Sequence, residues 1–334
     1  MTYRRRVQVT GGGTFLVTLP KEWADAVGVG PKSTMILIPN ESGAMLLVPE
    51  GMRERNRCTL PLAGRDPLAL QRDIIARYIA GYDVIEVVGG RIGPEGRRAV
   101  REIAQSLVGV EVLGETQGAV VLHCVANTRD FPAPLTVRRI LEITVAMWDD
   151  AVTAFLARDE ELARDVEERD GDVDRLVLLV ARQFGLLLRD LLLEEEVGMS
   201  RFQFLHYHTV ADQLERVADH AVKVSQSTHT LVKEVAARDA ERIRKESAAS
   251  QDVVREAVAA FSDRDVARAN RVLAGKGSKA EVAGWAQEAL RHQRENALPL
   301  TLLHDSLVRC REYGFNIAEI ALDAAVPHFP VVHT

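Results

Sequence analysis

The chain has 334 residues, of which 47% are hydrophobic and 27% are charged, and its formal net charge is −6. This length and composition allow two or three globular domains with ordinary cores. The negative charge excludes a protein that coats nucleic acid over its whole surface, but residues 1–57 hold eight Lys/Arg against five Asp/Glu. A polyanionic partner is therefore expected only at the N-terminal end.

The three cysteines, Cys58, Cys124 and Cys310, are widely spaced. They form neither a disulfide framework nor a zinc-binding pair, which favours a reduced, cytoplasmic setting. The basic N-terminus is not followed by the apolar core of a signal peptide. The longest apolar stretches fall well short of the roughly 20 residues that a membrane span needs. The sequence therefore predicts a cytoplasmic protein with no membrane insertion.

Short strands are predicted within residues 3–50, at 7–9, 14–19, 35–39 and 45–48, with a short helix over 21–26. Residues 40–43 are predicted to form the turn of the second hairpin. The glycines 11–13 are not followed by the lysine of a P-loop, so they predict a tight turn. A unit this small buries little surface alone, so we expect it to dimerise. The basic arm before these strands, Arg4-Arg5-Arg6, has two interpretations with equal support: an element that contacts phosphates, or a solvated terminus.

A linker is predicted over residues 50–66, followed by a small αβαββ domain. Helices are expected at 67–80 and 94–107, and strands at 83–88, 110–113 and 119–125. Two helices would then cover a three-stranded sheet. Gly89-Gly90 follows a strand but does not match a dinucleotide-binding fingerprint.

The chain is predicted to be helical from residue 134 onward, with helices at 137–157, 160–193, 201–235, 239–262, 265–274, 279–296 and 299–325. An internal repeat runs through this half. Residues 150–155 and 158–159 resemble residues 256–261 and 264–265 at an offset of 106, and later matches such as Asp212 with Asp305 follow at an offset of 93. Two blocks in the same order predict a duplicated three-helix unit.

Two of these helices carry acids at i, i+3 and i+7, a spacing that places them on one face. Like charges at this spacing repel each other, and several carboxylates from facing helices can bind a hard cation. The alternative is a solvated acidic face with Arg216 and Lys223 as partial counterions. The predicted ligands of Mg, Mn, Zn or Fe are Asp170, Asp174, Glu215 and Asp219, with weaker candidates in Glu167, His208 and Asp212.

The second repeat replaces these acids, since Glu215 corresponds to Val308 and Asp219 to Glu312. Asp170 and Asp174 likewise correspond to Lys276 and Ala280. A metal is therefore expected only in the first bundle. The histidines of the third helix lack a nucleophile in a recognisable setting, so no catalytic residues are predicted.

Residues 7–29 resemble the AbrB/SpoVT swapped-hairpin family, in which two chains interleave hairpins, often to bind DNA. The resemblance implies a homodimer. Leu16, Ala24 and Asp25 stand where DNA-binding members carry basic residues. The weak DNA-binding candidates are Arg4, Arg5, Arg6 and Lys21.

Residues 135–325 resemble the PhoU phosphate-signalling family, through Glu215-Arg216-Val217-Ala218-Asp219, Asp170-Gly171-Asp172-Val173-Asp174 and Asn316-Ile317-Ala318-Glu319. Members fold as two three-helix bundles, can hold metal clusters on E/D-x-x-x-D motifs, and restrain phosphate uptake through a transporter and its sensor kinase. The resemblance thus implies a non-enzymatic regulator that contacts such a transporter or kinase.

The predicted fold class is multidomain α+β. It comprises a swapped-hairpin β domain (1–52), a small αβαββ domain (60–127) and two tandem PhoU-like three-helix bundles (135–235 and 236–326). Two alternatives to the phosphate regulator remain open: an AbrB-type transcriptional regulator with a helical sensor, and a carboxylate-bridged metal enzyme.

Overall fold

A computed structural model describes residues 2–39, 43–51, 55–62, 64–190, 192–275 and 292–326. The protein is a multidomain α+β chain whose described residues fall into two compact units, residues 2–51 and 55–326. The first unit is built from short β-hairpins. The second contains a small α/β segment and the helical half. Within the described residues, no helix is long and apolar enough to cross a membrane.

The N-terminal unit contains two hairpins and one short helix. Strands β1 (Gln8–Val9) and β2 (Phe15–Leu16) pair antiparallel around the glycine turn, where Gly13 has a φ of +82°. Helix α1 (Lys21–Ala26) has the predicted bounds. Strands β3 (Met35–Pro39) and β4 (Met45–Pro49) form the second hairpin, whose predicted turn residues 40–42 lie outside the described part of the chain.

The α/β segment has four strands, so the prediction of three strands was wrong. The missed strand is β5 (Arg57–Pro61), which lies inside the predicted linker and pairs parallel to β6 (Val84–Val88). The charged and proline residues around this strand are typical of a linker, but its Leu60 is fully buried. Helix α2 (Pro67–Ile79) connects the two strands, and α3 (Pro94–Gln105) leads to β7 (Val110–Glu115) and β8 (Ala119–Cys124).

The sheet of this segment has the strand order β5-β6-β8-β7, and only β5 and β6 are parallel. Side chains alternate between the two faces of a strand, so residues such as Leu60, Ile85 and Leu122 all point to one face. These residues share a core with α2 and α3. The segment is therefore a sheet with both helices packed against its buried face.

The first helical bundle consists of α4 (Ala133–Ala157), α5 (Glu160–Arg189) and α7 (Arg201–Thr228), with the short α6 (Leu192–Val197) between the last two. Helix α5 ends before the predicted residue 193, because Asp190 adopts an extended conformation and its side chain accepts from the Leu192 N–H. Helix α7 ends before the predicted residue 235. The following N–H groups of Val232 and Lys233 donate instead to the Asn296 side chain.

The second bundle contains α8 (Ala237–Asp263), α9 (Val266–Ala274) and α10 (Ala297–Ala325). Most of the helix predicted at 279–296 lies outside the described residues. Helix α10 packs against both α8 and α7, so one apolar core runs through both bundles.

The connections between helices support the predicted duplication. Arg158 and Arg264, which are 106 residues apart, both adopt the left-handed conformation, with φ of 56° and 53°. Each is followed by an aspartate, Asp159 or Asp265, whose side chain caps the next helix. Non-glycine residues rarely adopt this conformation, so finding it at both equivalent positions is a strong mark of a repeated unit.

The second bundle also contains a buried ion pair. Arg311 on α10 donates to the Glu246 carboxylate at 2.7 Å and to Ser250 Oγ at 2.9 Å. Arg242 Nε lies 3.1 Å from the same carboxylate. At the offsets of the repeat, the corresponding first-bundle residues are the buried apolar Ile140 and Ala218. The two repeats therefore differ in the polarity of their cores.

Candidate metal centre

The acidic stripes lie on α5 and α7, which form a helical hairpin. Two contacts fix how the helices face each other: the Phe184 and His208 rings are 5.3 Å apart, and His229 Nε2 is 3.4 Å from Glu167 Oε1. Between these contacts lie the four predicted ligands, Asp170 and Asp174 on α5 and Glu215 and Asp219 on α7.

The carboxylates of this group, called the acidic cluster below, influence each other electrostatically. Burial raises the pKa of Asp170 to about 6, and the negative charges of Asp174 and Asp219 add to the rise. Burial also raises the pKa of Glu215 to about 7, again with contributions from Asp219 and Asp174, while Arg216 opposes the rise. The pKa of Asp174 is raised by burial and by Asp219. The stripes therefore converge on one region rather than on separate surfaces.

The members of the cluster differ in exposure. Asp174 is exposed as a whole residue, although its carboxyl group is shielded enough for burial to raise its pKa, whereas Asp170, Glu215 and Asp219 are half-buried. One oxygen of Asp170, Oδ1, is fully buried and has no hydrogen-bond partner. A buried acceptor without a donor is costly, so this oxygen is open to a positively charged ligand.

The donor types fit a hard cation, because Mg²⁺ and Mn²⁺ prefer carboxylate oxygens. The positions of the side chains fit less well. Among the described residues, no group of three or more His, Cys, Asp or Glu side chains is arranged so that it could hold a metal ion. The cluster thus has the charge and chemistry of a metal centre without a closed set of ligands.

The three weaker candidates have other partners. His208 Nδ1 lies 3.3 Å from Asp212 Oδ2 on the same helix, and the His208 ring packs against Phe184. Burial raises the pKa of Asp212, while His208 and Arg216 oppose the rise. Glu167 faces His229 at the far end of α7.

Of two basic residues near the cluster, Arg169 is engaged elsewhere and Arg216 offsets the negative charge only in part. Arg169 lies on α5 beside Asp170, but it donates to Asp150 on α4 at 2.6 Å and pairs with Asp165 at 2.9 Å. Arg216, the expected counterion, is exposed. The cluster therefore keeps a surplus of negative charge, as the stripes predict.

The second bundle offers no equivalent cluster at its described positions. Val308 stands in place of Glu215, and Glu312 is paired with Arg309 at 3.0 Å. Lys276 and Ala280, the predicted counterparts of Asp170 and Asp174, lie outside the described residues.

The weak DNA-binding candidates are exposed. Arg4, Arg5 and Arg6 precede β1, and Lys21 begins α1. Arg5 donates to the Arg4 carbonyl at 3.1 Å, and its guanidinium lies 5.8 Å from the centre of the Tyr3 ring.

The sequence analysis did not identify two functionally interesting residues of α5, Arg182 and Gly185. Arg182 is a charged residue that is only 2% exposed, within a mostly apolar stretch. That contrast is the signal that could have identified it, because buried charges in native proteins need partners.

Comparison with known proteins assigns two segments of the chain. Residues 137–228 match the family model of the PhoU domain, and residues 8–55 match that of MazE, a bacterial antitoxin described as an antidote-toxin recognition family. A search of curated protein sequences found no match.

Two solved structures are similar to part of this chain. The crystal structure of PhoU from Pseudomonas aeruginosa is 20% identical, with a TM-score of 0.48, covering 57% of this chain and 94% of that one. The crystal structure of the phosphate transport system regulatory protein PhoU from Streptococcus pneumoniae is 15% identical, with a TM-score of 0.47, covering 57% and 92%.

The PhoU match spans nearly all of α4, α5 and α7, the helices of the bundle that carries the acidic cluster. The MazE match spans the hairpins of the N-terminal unit. The chain therefore contains a segment similar to the PhoU domain, residues 137–228, and before it a segment similar to the MazE antitoxin family, residues 8–55.

Proposed function

We propose that this protein regulates the uptake of inorganic phosphate by contacting a phosphate transporter or its sensor kinase in the cytoplasm, without catalytic turnover. The observation that carries the proposal is the PhoU-domain match over residues 137–228. The matched residues form the bundle that contains the acidic cluster. The PhoU family, which residues 135–325 resemble, restrains phosphate uptake, and we extend that role to this chain.

Phosphate uptake in the native host tests this role directly. Cells that lack the gene should take up radiolabelled phosphate faster in phosphate-rich medium, and the full chain supplied in trans should restore control. Unchanged uptake in the deletion strain would contradict the proposal. A complementing chain with the exposed substitution Asp172→Asn serves as a control for expression.

We further propose that a divalent cation or iron binds the acidic cluster through Asp170, Asp174, Glu215 and Asp219. The proposal is supported by the surplus negative charge and by the unpartnered Oδ1 of Asp170. A bound cation would supply positive charge that offsets the mutual repulsion of the carboxylates. Native mass spectrometry with elemental analysis should show metal in the wild type and much less in Asp170→Ala/Glu215→Ala. Equal metal content in the two would exclude this site, and Asp172→Ala is the matched control.

We also propose that the N-terminal unit forms a homodimer. Several large apolar side chains of its hairpins are exposed, including Val9 and Phe15, which is 74% exposed. A second copy of the unit would cover them, in line with the swapped hairpins of the resembling family. Light scattering should report a dimer for the wild type and a monomer for Val9→Lys/Phe15→Glu. The control Leu113→Glu changes an equally exposed apolar residue of the α/β segment and should remain dimeric. A monomeric wild-type chain would refute the proposal.

The second candidate function is DNA binding by the N-terminal unit. It is favoured by the MazE match and by the exposed basic residues Arg4, Arg5, Arg6 and Lys21. Phosphate contacts make DNA affinity fall steeply with salt. A gel shift that disappears with rising salt, and is lost when the three arginines become alanine, would support this function. No shift at low salt would exclude it.

A further inference from the structure

Helix α5 contacts two parts of the fold, the first helical bundle and the α/β segment. Its first half carries Asp170 and Asp174 of the acidic cluster, and its second half packs against α2 of the α/β segment. At a rise of 1.5 Å per residue, about 18 Å of continuous helix separates Asp170 from Arg182. A displacement of the second half would therefore reach the cluster.

Arg182 connects α5 to the end of α2. Its guanidinium donates to the carbonyls of Tyr78 at 2.7 Å and Tyr82 at 2.9 Å, and it lies 3.6 Å from Asp83. It also stacks over the Tyr78 ring, 4.9 Å from the ring centre. The last carbonyls of a helix lack partners within the helix and attract positive charge. Arg182 thus caps α2 from another part of the fold.

Two glycines allow the backbones to approach closely at this contact. A Cβ at Gly185 would lie 2.3 Å from the carbonyl oxygen of Ile79, a distance that backbone atoms cannot accommodate without moving. A Cβ at Gly81, which has a φ of +83°, would lie 2.8 Å from the Leu186 side chain. Gln183, next to Arg182, donates to the carbonyls of Thr128 and Phe131 in the connection that follows β8.

We propose that the α/β segment is a clamp that fixes α5 within the first bundle, through Arg182 and Gly185, and thereby sets the position of the α5 carboxylates opposite those of α7. The segment is then a coupled part of the regulator rather than a spacer. Such coupling is reciprocal, so a ligand that orders the acidic cluster also stabilises the α/β segment. The inference stands on the packing alone and holds whether or not the cluster binds a metal ion.

Hydrogen exchange of the full-length chain, read by mass spectrometry, tests the clamp. Arg182→Met removes the guanidinium, and Gly185→Ala inserts a methyl group against the Ile79 carbonyl. Each should speed exchange in α2 and also in the α5 and α7 peptides that contain the acidic cluster. The expected factor is about 10- to 100-fold, the range that corresponds to the loss of charged hydrogen bonds.

Gly171→Ala is the matched control, because it lies on α5 and has no atom within 4 Å of an added Cβ. It should not speed exchange in α2. Arg182→Lys keeps the charge and some of the donors, so it should give an intermediate effect even if Arg182→Met fails to fold. Faster exchange confined to the α/β segment would overturn the proposal, since the cluster would then be independent of it. Unchanged exchange in Arg182→Met, Gly185→Ala and Arg182→Lys would overturn it as well.

Discussion

Removing two charges from the acidic cluster should stabilise the protein. Asp170 and Glu215 have ordinary pKa values of 3.8 and 4.5, which the fold raises to about 6 and 7. Rises of this size correspond to roughly 3 kcal/mol for each group. Both side chains keep partial contact with water, which screens their charges, so we expect ~1 kcal/mol each. The double variant Asp170→Asn/Glu215→Gln should therefore gain about 1–2 kcal/mol, because the two groups share neighbours and are not additive.

The gain should depend on pH with a defined sign. Because both pKa values are higher in the folded state, the folded wild type binds more protons than the unfolded chain between about pH 4 and pH 7. Its stability should therefore fall as pH rises through this window, and the double variant should lose much of that dependence. At pH 4 the two proteins should be nearly equally stable.

Urea denaturation in the presence of EDTA, followed by far-UV circular dichroism at several pH values, measures this effect. Asp172→Asn removes one charge from an exposed position of the same helix and should change stability by less than about 0.5 kcal/mol. If the double variant is no more stable than the wild type at neutral pH, the carboxylates do not repel each other as described. The same dependence of stability on pH in the wild type and the double variant, between pH 4 and pH 7, would also contradict the reasoning.

Four further substitutions test the helical half and the α/β segment. Arg311→Met should cost ~1.5–3 kcal/mol in urea denaturation, because the buried Glu246 carboxylate loses a charged hydrogen bond and keeps only the half-buried Arg242 beside it; a loss below about 1 kcal/mol would argue against the buried pair. Asp159→Ala and Asp265→Ala should each cost about 1 kcal/mol by the same measurement, because each removes an equivalent N-cap. Markedly different losses would weaken the structural repeat. Gly109→Ala should lower the thermal midpoint of the chain, since its φ is +67° and the new Cβ would lie 2.3 Å from a neighbouring methyl group; an unchanged midpoint would contradict this geometry.

Much of the fold could be predicted from the sequence because its local signals agree with the packing. Helix α1 follows Pro20, and the bounds of α9 and α10 depart from the prediction by no more than two residues. Strand β5 could not be predicted, because its place in the sheet depends on pairing with β6, which lies more than 20 residues away. The ends of α5 and α7 were also missed, since distant or capping side chains such as Asn296 and Asp190 take over the backbone hydrogen bonds there.

The acidic cluster was predictable because helical spacing alone places its acids on one face. The arrangement of its side chains was not, because rotamers depend on contacts with other helices. The pairing of Glu167 with His229 and of Arg169 with Asp150 joins residues far apart in the chain. Arg182 was missed for the same reason, since its partners are backbone carbonyls about 100 residues earlier in the sequence.

The position of β5 decides where the chain can be cut for expression. A fragment that starts at residue 60 would remove Arg57, Cys58 and Thr59, three of the five residues that pair with β6. The backbone groups of β6 would then form an open edge, which invites association with strands of other molecules. A fragment that starts at residue 55 retains the strand and also keeps Asn56, whose backbone bonds to Asp83 and Val84. Aggregation of the shorter fragment would therefore reflect the cut itself and not a requirement for the N-terminal unit.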